Sequence, residues 1–173
     1  QKFNHDYNVD FFPVTQPVIG GTASRVMSLR DGTKKMSKSD PSDLSRINMG
    51  DDADTILLKF KKAKTDADAL PSELPGLKNR PEAENLVTIY SALSNQSIES
   101  TLKEVGGKQF SDFKPLLAER AVELLSPIST EMNRLMQNSE EIDIILAKGA
   151  ERARKIANPI LQKTYEIIGM LQP

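Results

Sequence analysis

The chain has 173 residues and a mass of 19.2 kDa, enough for one substantial core or for a small helical domain joined to part of another. Its 23 Lys and Arg against 24 Asp and Glu give a formal net charge of -1, so contact with nucleic acid must come from local patches. The sequence has no cysteine, which excludes disulfides and thiolate metal sites. No apolar run approaches the roughly 20 residues that span a bilayer, and we expect a soluble, intracellular protein.

The first 48 residues predict short extended segments and one loop. The run "DFFPVTQPVI" mixes aromatic and β-branched residues with two prolines and predicts a short strand. The run "SRVMSL" predicts a second strand or extended segment. Gly, Asp, Ser and Pro then mark residues 31–42 as a loop, because these residues bend the backbone or bond to it locally. The chain opens on Gln1 within an amphipathic fragment, so we expect a piece of a longer protein.

From residue 51 onward the pattern is helical, with about five helices forming a bundle and the fold mainly α. Apolar periodicity predicts helices over residues 51–64, 81–93, 97–105, 111–136 and from 139 to near the end. We expect Pro127 to kink or break the fourth helix, and Gly149 and Pro159 to be joints in the fifth. The aromatic residues Tyr90, Phe110 and Phe113 lie on apolar stripes and are expected in the core.

The loop contains the stretch "KKMSKSD", which places three lysines and two serines on one short segment. Lysine is a compact charge on a flexible stem, suited to phosphate oxygens that move during a reaction. If such a loop closes most tightly at the transition state, it stabilises the charge that develops on a leaving pyrophosphate. Lysines on a loop are also common on solvated surfaces, so this chemistry is an interpretation.

The string "KMSKS" at residues 35–39 resembles the second signature of class I aminoacyl-tRNA synthetases. With the preceding "RVMSLRDGTK", and with "ILLKFKKAKTD", "NRPEAENLVTIYSALS" and "AKGAERARKIA" further on, the chain resembles the tryptophanyl-tRNA synthetase family over most of its length. The resemblance implies that residues 1–48 are the C-terminal end of a Rossmann-type α/β catalytic domain. It implies that residues 49–173 are an all-helical anticodon-binding domain.

The resemblance also implies site roles. Lys35 and Lys38 would hold the ATP phosphates, with Ser37, Ser39 and the Met36 backbone helping to seat them, and Val26 would touch the adenine ring. The implied partners are ATP with Mg²⁺ as a substrate complex, L-tryptophan and its tRNA. The implied full-length enzyme is a homodimer that binds no membrane and is located in a bacterial cytoplasm or an organelle matrix. No tightly bound cofactor and no metal-ligating residues are expected. The implied activity is ATP-dependent formation of tryptophanyl-adenylate and its transfer to tRNA.

Other parts of the family pattern are missing. No His-x-Gly-His occurs, and the only histidine, His5, is expected on a helix surface. We therefore expect a C-terminal portion that makes no adenylate alone. Two alternatives stay open: a tyrosyl-tRNA synthetase fragment, and a nonenzymatic helical RNA-binding module that retains the loop.

Two basic stretches could meet RNA. The run "KFKKAK" at residues 59–64 could contact phosphates or simply balance a helix dipole, and we favour the second. Lys148, Arg152 and Lys155 share one helix face that could meet the anticodon stem or loop. Glu151 lies among them, so a solvated face is an equal alternative.

Overall fold

The structure is a computed structural model that describes residues 1–21 and 23–171. Its described residues form two compact units, one made of Gln1–Val18 with the chain from Leu135 onward, the other of Ile19–Arg134. The predicted boundary between residues 48 and 49 stays a prediction. The elements in chain order are α1 (Lys2–Asp6), β1 (Met27–Ser28), β2 (Asp31–Lys35), α2 (Ala53–Lys62), α3 (Pro81–Leu93), α4 (Ile98–Val105), α5 (Phe110–Met136) and α6 (Ser139–Ile168), with short 3-10 helices at Asp43–Ser45 and Leu74–Leu77.

The five helices predicted after residue 51 are confirmed as α2 to α6. Their starts follow the expected chemistry: Asp52 caps α2 by accepting a hydrogen bond from the Thr55 amide at 2.8 Å, and Pro81 occupies the first turn of α3. No helix formed by the described residues is both long and apolar enough to cross a bilayer.

The core lies in the unit of residues 19–134 and is built from the apolar stripes of α2 to α5. Tyr90, Phe110 and Phe113 are buried there, as predicted, and the rings of Tyr90 and Phe113 lie 5.6 Å apart between centroids. The other buried members of this cluster are Leu29, Ile56, Phe60, Ala63, Leu70, Leu77, Ala83, Leu86, Val87, Leu102, Val105, Leu117, Ala118 and Ala121. Burial of these side chains is the main favourable term in folding.

The prediction of a loop from residue 31 to 42 is wrong for its first five residues. Asp31–Lys35 form β2, which pairs antiparallel with β1 through Met27 opposite Lys35 and Ser28 opposite Asp31. The segment has no apolar alternation, and its extended form comes from this pairing and from packing on α3. Gly32 lies so close to α3 that an added Cβ would be 2.5 Å from the Glu82 backbone nitrogen.

The strand predicted in "DFFPVTQPVI" is also wrong, because none of these residues is in a strand. The Asn4 side chain donates to the Phe12 carbonyl at 2.8 Å and accepts from the Phe12 amide at 2.9 Å. These are the backbone groups that a neighbouring strand would need, and Pro13 supplies no amide at all. Phe12 packs instead against Phe3, with ring centroids 4.9 Å apart.

The break predicted at Pro127 is wrong, and α6 is not interrupted at Gly149 or Pro159, whereas a bend of the helix axis at these three positions stays a prediction. The helices α5 and α6 run continuously through these positions. A proline frees the carbonyl four residues earlier, and here those carbonyls belong to Glu123 and Lys155, both exposed. Water can satisfy an exposed carbonyl, so the lost intrahelical bond does not force a break.

One loop of the core unit is held by Arg80. Its guanidinium binds the Asp66 carboxylate with two hydrogen bonds of 2.9 and 2.6 Å and also donates to the Ala69 and Asp68 carbonyls. The hydrogen bonds from Arg80 hold the pKa of Asp66 below its ordinary value of 3.8. This forked geometry is the arrangement in which arginine binds carboxylates best.

The lowered pKa of Asp66 predicts a contribution to the free energy of unfolding that depends on pH. Since the folded pKa lies below 3.8, the contribution is complete above that value and is lost as the pH falls through the folded pKa. We expect Asp66→Asn to lower stability at neutral pH and to flatten the decline of stability below about pH 4. Urea unfolding monitored by circular dichroism from pH 3 to 7 tests this, and parallel pH curves for the two proteins would contradict it.

Candidate nucleotide-binding site

The first of the two predicted catalytic lysines, Lys35, lies at the end of β2. The strand pairing continues one residue further, because the Met36 amide donates to the Val26 carbonyl at 3.0 Å. Val26 and Met36 therefore lie side by side, and the nucleotide contacts predicted for them stay predictions. Both residues are half-buried and line an apolar cavity of about 180 Å³.

The residues after Met36 form a tight turn stabilised by their own serines. The Ser37 hydroxyl accepts from the Ser39 amide at 3.3 Å, and the two hydroxyl oxygens lie 3.0 Å apart. The Asp40 amide donates to the Ser37 carbonyl at 3.3 Å. Such local bonds from serine are typical of turns. They place Lys38 within the turn, where its side chain is exposed.

Lys35 and Lys38 differ from the neighbouring Lys34 in their ion pairing. Lys34 pairs with Asp31 at 3.3 Å, whereas within residues 1–21 and 23–171 neither of the other two lysines forms an ion pair. An anionic ligand could therefore bind Lys35 and Lys38 without first breaking a carboxylate contact. A charge pair at ~4 Å is worth about 1 kcal/mol in water and several times more near a low-dielectric surface. The two charges therefore suit a polyphosphate ligand.

Asn85 of α3 was not predicted to be a site residue, but it contacts the hairpin formed by β1 and β2. It is buried, accepts from the Met27 amide at 2.9 Å and donates to the Met27 carbonyl at 2.9 Å. Its amide therefore binds the edge of β1 that faces away from β2. The signal in the sequence was a polar residue among the apolar positions of "PEAENLVTIYSAL".

Lys59 was grouped with the possible RNA-contacting lysines, and the structure excludes that role. Its side chain is 2 % exposed and pairs with Asp43 at 2.7 Å and Asp51 at 2.6 Å. Burial alone would lower the pKa of Lys59, but the hydrogen bonds to the two carboxylates outweigh it and raise the pKa above its ordinary value. The hydrogen bond from Lys59 is likewise the main reason that the pKa of Asp43 is lowered.

The other basic residues remain at the surface. Lys61, Lys62 and Lys64 are exposed, and Lys64 pairs with Glu82 at 2.8 Å. On α6 the three members of the predicted basic face, Lys148, Arg152 and Lys155, are all exposed. Lys155 pairs with Glu151 at 2.7 Å, which leaves both alternatives for this face open. His5 is exposed on α1, as predicted.

A cavity of about 520 Å³ lies elsewhere in the unit of residues 19–134. It lies between α2 and the start of α5, lined mainly by apolar residues such as Leu57, Leu58 and Phe110. Lys114 lines it too. Burial is the main cause that lowers the pKa of Lys114, and the nearby positive charge of Arg30 lowers it further. None of the predicted site residues lines this cavity. In the part of the chain that the structure describes, no three His, Asp or Glu side chains converge as a metal site.

A family model described as tRNA synthetases class I (W and Y) matches residues 1–126, and the chain belongs to that family. The chain is 60 % identical over 191 residues to a tryptophan–tRNA ligase of Rhizobium meliloti (strain 1021), covering 99 % of this chain and 54 % of that protein. It is 60 % identical over 162 residues to that of Agrobacterium fabrum, covering 94 % and 46 %.

Solved structures agree on the fold. The tryptophanyl-tRNA synthetase of Mycoplasma pneumoniae superposes with a TM-score of 0.82 at 24 % identity, covering 99 % of this chain and 52 % of that one. That of Campylobacter jejuni, solved with ADP and tryptophan, gives 0.64 at 25 % identity over 98 % of this chain and 50 % of that one. The chain spans about half the length of the relatives it matches. These likenesses support the predicted class I synthetase fold.

Proposed function

We propose that these residues act as the C-terminal half of a tryptophan–tRNA ligase. The observation that carries the proposal is the pair of exposed lysines, Lys35 at the end of β2 and Lys38 on the hydrogen-bonded turn that follows, neither of which forms an ion pair with the described residues. In this proposal the half contributes the end of a Rossmann-type catalytic domain over residues 1–48. Residues 49–173 form the helical domain that binds the anticodon region of tRNA.

The proposed reaction joins L-tryptophan to ATP, releasing pyrophosphate, and then transfers the tryptophanyl group to tRNA. Lys35 and Lys38 bind the phosphates and stabilise the negative charge that grows on the leaving pyrophosphate. Ser37, Ser39 and the Met36 backbone seat the turn against the nucleotide, and the Val26 backbone contacts adenine. Magnesium enters with ATP as part of the substrate, supplying further positive charge to the phosphates.

The proposal extends to assembly and location. The whole enzyme is a homodimer in which the tryptophan pocket lies mostly outside residues 1–173, and it works in the cytoplasm or an organelle matrix. Both statements come from the family resemblance and remain predictions. The ADP and tryptophan found in the Campylobacter jejuni protein support the choice of ligands.

The test is amino-acid-dependent exchange of pyrophosphate into ATP by the full-length protein that contains this chain. We expect exchange with tryptophan and none with tyrosine. Exchange with tyrosine alone would favour a tyrosyl-tRNA synthetase, and no exchange with either would favour the helical RNA-binding module. Residues 1–173 alone should show no exchange above background.

The basic face of α6 gives a second test, on tRNA binding. We expect Arg152→Gln with Lys155→Gln to weaken tRNA binding by the full-length protein and to reduce the slope of log affinity against log salt by about one to two units. The matched control is Lys163→Gln, which removes an exposed lysine of the same helix that pairs with Glu166. An unchanged slope in the double variant would mean that the face is only solvated.

A further inference from the structure

The turn formed by residues 37–40 carries Lys38, and its C-terminal end is held by Arg46, a residue with no role assigned so far. Its Nη1 donates to the Asp40 carbonyl at 2.9 Å and to the Ser42 carbonyl at 3.4 Å. Asp40 directly follows Ser39, the last residue of "KMSKS". The guanidinium therefore binds the backbone where the turn ends, as arginine's fork of donors allows.

Arg46 is itself fixed in place. Its Nη2 lies 3.1 Å from the Asp43 carboxylate and its Nε donates to the Asn48 side chain at 3.1 Å. The same Asp43 carboxylate binds Lys59, which is buried in the core unit and also pairs with Asp51. The cations of Arg46 and Lys59 and the carboxylates of Asp43 and Asp51 thus form a charge-balanced network. It extends from the buried side of α2 to the turn. A charge buried as deeply as Lys59 is stable only with such partners.

The turn is therefore anchored at both ends by different means. At its start, the Met36 amide is bound to the Val26 carbonyl by strand pairing. At its end, Arg46 binds the Asp40 carbonyl. Only residues 37–39, including Lys38, lie between the two anchors. The freedom of Lys38 to reach a phosphate is limited by both of them.

We propose that Arg46, held by the Asp43–Lys59 ion pair, is a positioning residue that sets Lys38 for the ATP phosphates. This inference rests on the proposed function. Arg46 acts through the backbone of the turn and does not touch the nucleotide. Loss of its fork lets the turn adopt other conformations, and a small misplacement of a catalytic group can cost a large part of the rate.

The experiment is a double-mutant cycle between Arg46→Gln and Lys38→Ala in the full-length enzyme, read as kcat and KM of tryptophan-dependent pyrophosphate exchange. We expect Arg46→Gln alone to lower kcat about tenfold with the KM for tryptophan unchanged. In the Lys38→Ala background the same substitution should change kcat by less than about twofold, since the group that it positions is gone. Arg46→Lys, which keeps the charge beside Asp43, should recover part of the rate.

The matched control is Arg80→Gln. The side chain of Arg80 is 17 % exposed, as is that of Arg46, and it also binds loop carbonyls and one aspartate, but its loop is residues 66–69. We expect it to lower thermal stability without lowering kcat at 25 °C. Equal losses of kcat from Arg46→Gln in both backgrounds, or an equal loss from Arg80→Gln, would overturn the positioning role. If the unmodified enzyme shows no tryptophan-dependent exchange, the proposed function itself fails, and that outcome is separate.

Discussion

Lys38→Ala should lower kcat for tryptophan activation by the full-length enzyme about 10²- to 10³-fold, the usual cost of removing one group that stabilises transition-state charge. Lys38 is exposed within the turn and has no carboxylate partner among the described residues, so its charge is available to the leaving pyrophosphate. Because the turn is proposed to tighten in the transition state, the KM for tryptophan should change little. Lys35→Ala should have a similar effect in the same direction.

Lys34→Ala is the control for this prediction. It removes the same charge from the adjacent position of β2, but Lys34 pairs with Asp31, and successive side chains of a strand point to opposite faces. We expect kcat within about twofold of the unmodified enzyme, as for most surface substitutions away from a functional group. Pre-steady-state measurement of adenylate formation separates the chemical step from product release. A loss as large for Lys34→Ala as for Lys38→Ala would mean that the charge acts only at long range.

The helices could be predicted from the sequence because their information is local. Pro81 in the first turn and the apolar spacing of Ala83, Leu86, Val87 and Tyr90 placed α3 at its observed bounds. The strand or extended segment predicted in "SRVMSL" is confirmed as β1, whereas β2 could not be predicted, because it is extended only through pairing with β1 and contact with α3. In "DFFPVTQPVI" the tertiary bonds from Asn4 replaced the strand that residue preferences indicated.

The helix break predicted at Pro127 does not occur, because proline interrupts a helix only where the carbonyl that it leaves free cannot find another partner. Pro127 and Pro159 are exposed, and so are the residues whose carbonyls they leave free. The sequence marks the prolines but not their exposure. Exposure depends on which face of α5 and α6 meets other parts of the molecule.

The candidate site, too, could be predicted only in part. The lysines of "KMSKS" could be recognised from the string itself, and their roles remain proposals. The residues that support the hairpin and the turn, Arg46, Lys59 and Asn85, were not predicted, because each acts on a backbone group or a charge that only the fold brings into contact with it. One signal was present for Lys59: it lies three residues after Ile56 and next to Phe60, on the buried side of α2.

Asn85→Ala should produce the largest loss of stability among the substitutions around the hairpin. Its side chain satisfies both the amide and the carbonyl of Met27, and it is 5 % exposed. Truncation leaves these two backbone groups without their partner, for which a cost of about 2–4 kcal/mol in the free energy of unfolding follows from the usual penalty per buried group. The effect should also reach the site, because Met27 is paired with Lys35 across the hairpin. We therefore expect a lower kcat for tryptophan activation even at temperatures where the variant is folded.

Thr88→Ala is the matched truncation, one turn further along α3 at a half-buried position with no side-chain hydrogen bond among the described residues. It should cost about 1 kcal/mol or less and leave kcat unchanged. Urea unfolding gives the stability of each variant, and pyrophosphate exchange at 25 °C gives the activity. The Asn85 side-chain amide binds the edge of β1 that faces away from β2, as the backbone of a third strand would. Its loss should therefore weaken the β1–β2 hairpin, which carries Lys35, more than it weakens the rest of α3. Equal effects of Asn85→Ala and Thr88→Ala would show that the strand pairing alone holds Lys35 in place.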